Sequence, residues 1–193
     1  MERRAKLVSR SEMVLVIIDV QERLAAAMTR REEVVLACGR LARAAAMLGV
    51  PIIVTRQYPQ GLGLTVAVLE ETLSDLRADG ADVTQVDKTA FCCADESHFS
   101  EALASTGRTQ VVICGMETHI CVAQTALVLA SEGLDVHVPA DACCSRLDPA
   151  HEVALARMRA SGITVTWTES VMYEAVGRAG TDEFRQLLTI VKG

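Results

Sequence analysis

Aromatic residues, excess positive charge and long apolar runs are all scarce in this chain of 193 residues. Only 3% of the residues are aromatic, and 19 basic side chains stand against 25 acidic ones, for a net charge of −6. A chain of this charge offers no basic surface to phosphate groups and few rings for base stacking, so we predict no nucleic-acid partner. The apolar run Met13–Ile18 is far shorter than the roughly 18 residues that a bilayer span needs, so we predict no membrane partner.

The N-terminus also lacks the pattern of a secretory signal. Asp19 interrupts the first apolar run, and no small-residue cleavage site follows, so we expect a cytoplasmic protein. The seven cysteines are odd in number and show no CxxC spacing, which favours reduced thiols over a disulfide framework. We therefore expect any functional cysteine to act as a thiol.

The apolar content is high enough for one independent core. Half of the residues are apolar, and a chain of this length buries roughly 70% of its unfolded surface. No repeat, low-complexity stretch or linker interrupts the chain. We therefore predict a single domain over residues 1–193.

Short β-branched segments alternate with longer segments whose apolar residues recur every three or four positions. The predicted strands are Met13–Ile18, Pro51–Thr55, Val83–Val86, Gln110–Gly115, Leu134–Pro139 and Ile163–Trp167. The predicted helices are Arg31–Leu48, Leu64–Arg77, Asp95–Ser105, His119–Ser131 and Pro149–Ala160. This order predicts a three-layer, Rossmann-like α/β fold with a mostly parallel six-stranded sheet and helices on both faces.

Ligands of such sheets bind beyond the carboxyl ends of the strands, so reactive residues at strand ends are candidate site residues. Asp19 follows the first strand, Lys88 follows the third, and Cys121 lies in the first turn of the helix after the fourth. Taken alone, Asp19 also fits a helix N-cap, and Lys88 also fits a solvated surface lysine. Together they supply the nucleophile, base and cation of a thiol hydrolase.

The position of Cys121 in the first turn of a helix favours a reactive thiol. The first turn of a helix lies at the positive end of its dipole, which stabilises a thiolate. We therefore predict that the pKa of Cys121 is lowered. Cys114 and Cys38 fall inside a strand and a helix, where an inert buried thiol is the better interpretation.

Three motifs resemble those of the isochorismatase-like cysteine hydrolases, and the resemblance covers nearly the whole chain. They are Asp19-Val20-Gln21, Lys88-Thr89-Ala90-Phe91 and Gly115-Met116-Glu117-Thr118-His119-Ile120-Cys121. The resemblance implies a catalytic triad of Asp19, Lys88 and Cys121. It also implies a non-proline cis peptide bond between Met116 and Glu117, where the backbone N–H groups of Glu117 and Cys121 form an oxyanion hole.

A metal motif known from one branch of that family is missing. Nicotinamidases carry Asp-x-His-His after the second strand, whereas residues 55–63 contain no histidine. We therefore predict no metal and no cofactor, and a nicotinamidase is disfavoured. True isochorismatases tend to lack the cysteine, so Cys121 favours acyl chemistry. The motifs are most similar to small isochorismatase-domain hydrolases of unassigned substrate.

These observations predict a metal-independent cysteine hydrolase. It would cleave the C–N bond of a small amide, or a related carbonyl substrate, through a thioester intermediate. Tyr58, Phe91 and Glu117 are expected to border the substrate pocket, because they lie on the loops around the triad. Cys92, on the Lys88 loop, and His119, beside Cys121, remain open candidates.

The alternative is a non-catalytic scaffold or ligand-binding protein with the same fold, because fold alone does not certify activity. We expect a homo-oligomer in either case. The apolar content and a mean hydropathy of +0.26 predict an apolar surface that a second subunit would bury.

Overall fold

The computed structural model describes residues 7–192. Its strands are β1 (Met13–Ile18), β2 (Ile52–Gln57), β3 (Val83–Lys88), β4 (Gln110–Met116), β5 (Asp135–Pro139), β6 (Cys143–Cys144) and β7 (Thr164–Thr166). They form one sheet in the order β3-β2-β1-β4-β5-β7, and β6 pairs with β4 off this path. The pairings between these strands are parallel. The predicted parallel α/β fold is confirmed.

The sheet has seven strands rather than the predicted six. The additional strand is β6, whose two residues pair with Gly115 and Met116 at the end of β4. A segment of two residues has no periodicity that a sequence pattern can reveal. Its position matters, because it places the following residues, Ser145 and Arg146, beside the end of β4.

The helices are α1 (Glu22–Ala25), α2 (Arg31–Met47), α3 (Pro59–Leu62), α4 (Ala67–Ala78), α5 (Ser97–Ser105), α6 (Ala123–Ser131), α7 (Asp148–Ala160), α8 (Thr168–Val176) and α9 (Asp182–Lys192). Helix α2 packs with α4, α8 and α9, whereas α6 packs with α7. Helices α1, α3, α8 and α9 lie outside the predicted segments. No helix within residues 7–192 is long and apolar enough to cross a membrane.

The two central strands explain where a site can form. Every residue of β1 and β4 is buried, because helices cover both faces of a parallel sheet. From β1 the chain proceeds to β2 on one side, and from β4 it proceeds to β5 on the other. The gap between β1 and β4 is therefore the topological switch point, where ligands of such sheets bind.

Gly115 allows β4 to approach β1 closely at this switch point. Its φ is +120°, and an added Cβ would lie 2.0 Å from the carbonyl oxygen of Ile18. Only glycine fits that contact and that backbone conformation. The Met116–Glu117 peptide bond that follows is cis, as the resemblance implies.

Candidate active site

Asp19 and Lys88 form a buried ion pair above the sheet. Lys88 Nζ lies 2.7 Å from Asp19 Oδ2, and both side chains are 0% exposed. Asp19 directly follows β1 with a φ of +54°, and Lys88 is the last residue of β3. Strand β2 lies between β1 and β3, and neighbouring strands are about 4.8 Å apart. The long lysine side chain therefore extends across β2 to reach the carboxylate.

Two residues of β2 make hydrogen bonds with this pair, and neither was a predicted site residue. Thr55 donates a hydrogen bond to Asp19 Oδ1 at 2.7 Å. Gln57 Oε1 accepts one from Lys88 Nζ at 2.5 Å. Residues two apart on a strand face the same side of the sheet, so the side chains of both residues point toward the ion pair. Two polar residues near the end of an otherwise buried strand were the available signal.

Cys121 lies against the same carboxylate. It is 5% exposed and belongs to a π-helical turn, Thr118–Val122, that leads into α6. The Asp19 carboxylate lies close enough to the Cys121 thiol to raise the pKa of that thiol. The Glu117 carbonyl accepts from the N–H groups of Ile120 and Val122, which flank the Cys121 N–H. The structure therefore brings Asp19, Lys88 and Cys121 together at the switch point.

The predicted lowering of the Cys121 pKa is wrong. Burial raises the pKa of this thiol, the Asp19 carboxylate raises it further, and Lys88 only partly opposes them. Desolvation and an adjacent negative charge outweigh the helix dipole here. The resting side chain is a neutral thiol beside a carboxylate, and it needs a base before it can attack.

Lys88 stays charged in this environment. Burial lowers the pKa of its ammonium, but Asp19 and the thiols of Cys93 and Cys121 raise it, and the net direction is upward. An ammonium therefore offsets the negative charge of the site at neutral pH.

A second thiol, Cys93, lies beside the ion pair. Burial raises its pKa to about 12, while Lys88 lowers it. Its backbone N–H donates to Thr125 Oγ1 at 2.9 Å, and Thr125 lies one helical turn beyond Cys121. The candidate predicted on this loop was the adjacent Cys92, because it lies on the Lys88 loop. An irregular loop gives no periodicity that would tell the two neighbouring cysteines apart.

Glu117 is buried with its carboxylate held by Arg146. The carboxylate accepts from the Arg146 backbone N–H at 2.8 Å and from its Nε at 3.1 Å. The next two residues of the turn are anchored in the same region: Thr118 Oγ1 to His151 Nδ1 and His119 Nδ1 to Ser145 Oγ, each at 2.9 Å. These partners, some 30 residues away in sequence, carried no motif that could have identified them.

Tyr58 and Phe91 touch Lys88 through their backbones. The Tyr58 N–H donates to the Lys88 carbonyl at 2.8 Å, and the Phe91 carbonyl lies 3.5 Å from Lys88 Nζ. Their side chains are 55% and 57% exposed, so neither ring forms a closed wall over the triad in one chain. The substrate-binding roles of Tyr58, Phe91 and Glu117 stay predictions.

Within residues 7–192, no group of three or more His, Cys, Asp or Glu side chains is arranged to hold a metal ion. Residues 55–63, where a metal motif was considered, include Gln57 at the end of β2. Its amide oxygen is occupied by the Lys88 ammonium.

Comparisons with known proteins identify the family. The family model of the isochorismatase domain matches residues 13–170. Isochorismatase domain-containing protein 2 of Xenopus laevis is 36% identical over 191 residues, covering 99% of this chain and 88% of that protein.

Two solved structures extend the likeness to the fold. A protein described as MAR1 ribonuclease from Caenorhabditis elegans has a TM-score of 0.87 at 30% identity, covering 97% of this chain and 93% of that one. YcaC from Pseudomonas aeruginosa, described with hexane-2,5-diol and covalent acrylamide, has a TM-score of 0.83 at 25% identity, covering 98% and 93%. This chain belongs to the isochorismatase-like hydrolase family.

Proposed function

We propose that this protein is a metal-independent cysteine hydrolase that cleaves a small amide, or a related carbonyl compound, through a thioester. One observation carries the proposal. The Asp19 carboxylate contacts the Lys88 ammonium at 2.7 Å, and both charges act on the neighbouring thiol of Cys121. A thiol with a base and a cation beside it supplies the groups that nucleophilic acyl transfer requires.

In the first half-reaction, Asp19 takes the proton of Cys121 as the sulfur bonds to the substrate carbonyl carbon. The C–N bond then breaks, and Asp19 gives that proton to the departing amine. In the second half-reaction, Asp19 deprotonates a water molecule that attacks the thioester. The carboxylic acid leaves, and the proton returns to the Cys121 sulfur. A neutral resting thiol suits this cycle, because the proton to be transferred is already beside its acceptor.

Lys88 and backbone N–H groups stabilise the negative charges that form during the reaction. The Lys88 ammonium holds Asp19 ionised before attack and offsets the negative charge when it moves to the sulfur. The N–H groups of Glu117 and Cys121 are assigned to the oxyanion of the tetrahedral intermediate, where preorganised donors contribute several kcal/mol, about 3 per donor.

Two features of the relatives shape the test. The covalent acrylamide described for the Pseudomonas aeruginosa protein supports using acrylamide as a probe for a nucleophile in this chain. The ribonuclease described for Caenorhabditis elegans makes RNA a necessary comparison. The net charge of −6 opposes binding of a polyanion, so we expect no RNA cleavage.

The decisive experiment is a panel of small amides, carbamoyl compounds and RNA, tested with the native protein and with Cys121→Ser. Cys92→Ser is the matched control, because it alters a buried thiol of the neighbouring loop. We expect amide turnover by the native protein and the control but not by Cys121→Ser. A poor substrate should leave an acyl adduct on Cys121 that hydroxylamine removes. Absence of turnover and of any adduct across the panel would favour the non-catalytic scaffold.

A further inference from the structure

Gln57, at the end of β2, is held at each of its polar groups. Its backbone N–H donates to Gln21 Oε1 at 2.7 Å, and its carbonyl accepts from Gln21 Nε2 at 3.0 Å. Its side-chain Nε2 donates to the Thr89 carbonyl at 2.7 Å, and Oε1 accepts from Lys88 Nζ at 2.5 Å. Gln57 is only 8% exposed. Backbone and side chain are therefore both fixed, and the strand register places Gln57 opposite Lys88.

The partners of Gln57 permit only one orientation of its amide. The Thr89 carbonyl can only accept a hydrogen bond, and the Lys88 ammonium can only donate one. Turning the amide over would set its NH₂ group against the ammonium and its oxygen against the carbonyl. Gln57 therefore presents a fixed acceptor to Lys88.

The ammonium of Lys88 has three N–H donors. Among the described residues it donates to Gln57 Oε1 at 2.5 Å, the Ala90 carbonyl at 3.2 Å and the Phe91 carbonyl at 3.5 Å. Asp19 Oδ2, its ion-pair partner, lies 2.7 Å from the same nitrogen. Gln57 makes the shortest of the three hydrogen bonds, so without it only the two longer bonds to the loop carbonyls would position the ammonium beside Asp19.

We propose that Gln57 is a positioning residue that holds the Lys88 ammonium on the Asp19 carboxylate, and so sets the charge available to Cys121. The inference rests on the proposed function. The groups around Lys88 are Asp19 after β1, Cys121 in the π-helical turn, Cys93 in the turn before α5, and Glu96 at the start of α5. Gln57 does not titrate, and its amide oxygen makes a stronger hydrogen bond with the charged ammonium of Lys88 than with the neutral amine.

The chain offers a direct measurement, because it contains only three lysines: Lys6, Lys88 and Lys192. Protein labelled with [ε-¹³C]lysine gives three side-chain signals whose shifts titrate with the ammonium, and Lys88→Arg identifies the signal of Lys88. Gln57→Met removes the acceptor at nearly constant volume. Gln57→Glu keeps it, and Gln85→Met is the matched control at an exposed position of β3.

We expect Gln57→Met to lower the titration midpoint of Lys88 by about one unit or more, since a hydrogen bond to a charged group is worth about tenfold or more in an equilibrium. Gln57→Glu should not lower it, and Gln85→Met should leave it unchanged. On a substrate from the amide panel, Gln57→Met should lose about tenfold in kcat with little change in KM.

An unchanged Lys88 midpoint in folded Gln57→Met protein would overturn the proposal, as would an equal fall in Gln57→Glu. Circular dichroism melting identifies the folded variants. If Gln57→Met does not fold, Gln57→Asn, whose shorter amide cannot reach Lys88, should give the same fall. A shifted midpoint in a protein that hydrolyses no member of the panel would reject the hydrolase and retain the positioning role.

Discussion

Replacing Asp19 by Asn should abolish hydrolysis and yet make Cys121 react faster with iodoacetamide. The carboxylate raises the pKa of the Cys121 thiol, second only to burial, and Lys88 lowers it. In Asp19→Asn the negative neighbour is gone and the ammonium remains. The thiol then loses its proton more readily, although the base for the reaction has been removed.

The expected fall in the pKa of Cys121 follows from Coulomb's law. Two unit charges at about 4 Å interact by roughly 4 kcal/mol at an effective dielectric constant of 20. Lys88 already offsets part of the Asp19 charge, so we expect the pKa of Cys121 to fall by about two units, or ~2.7 kcal/mol. Below its pKa, the thiolate fraction then rises about 100-fold. A less basic thiolate is a weaker nucleophile, with a Brønsted slope of about 0.5, so the net gain in alkylation rate is about tenfold.

The assay is alkylation of folded protein at pH 7, with the modified cysteine identified by peptide mass mapping. Asp75→Asn, which removes an exposed carboxylate from α4, is the control for net charge. All seven cysteines are buried, so the mapping must resolve Cys121 from the others. Folded Asp19→Asn protein whose Cys121 reacts at the native rate or more slowly would refute the view that Asp19 holds this thiol neutral.

Four further predictions concern stability and assembly. Lys88→Met should lower the free energy of unfolding in urea by about 3–5 kcal/mol, because a buried carboxylate loses its partner; the double variant with Asp19→Asn should be less destabilised. Gly115→Ala should cost more than about 3 kcal/mol in the same assay, since its Cβ meets the Ile18 carbonyl. Gly39→Ala, where nothing lies within 4 Å, should instead stabilise α2 by about 0.5–1 kcal/mol. Light scattering should give a mass above the 20.7 kDa of one chain, and a stable monomer at micromolar concentration would contradict the predicted homo-oligomer.

The strand boundaries show how much of the fold the local sequence pattern predicted. The first strand was predicted at Met13–Ile18, as observed, because its apolar run ends abruptly at Asp19. The second and third strands were predicted two residues too short at their carboxyl ends. Gln57 and Lys88 are the last residues of β2 and β3. Because their side chains are polar, a search for apolar runs ends before it reaches them. Both belong to the site.

The cysteines show where local pattern failed. The predicted thiolate of Cys121 rested on its helix position alone, whereas its pKa depends on burial and on Asp19, about 100 residues away in the sequence. Cys92 and Cys93 are neighbours with the same local context, and only the packing of their loop onto α6 sets Cys93 beside Lys88. Desolvation and through-space charge are properties of the folded chain.

The sequence by itself determined the α/β class, the order of the main elements and the strand-end placement of Asp19, Lys88 and Cys121, because periodicity and chain order are local properties. Only the tertiary structure decided the register that sets Gln57 opposite Lys88, the strand β6 that brings Arg146 to Glu117, and the neutral state of the Cys121 thiol. Each of these depends on distances between residues far apart in the chain, and the energy of a charge or hydrogen bond is set by those distances and by the exclusion of water.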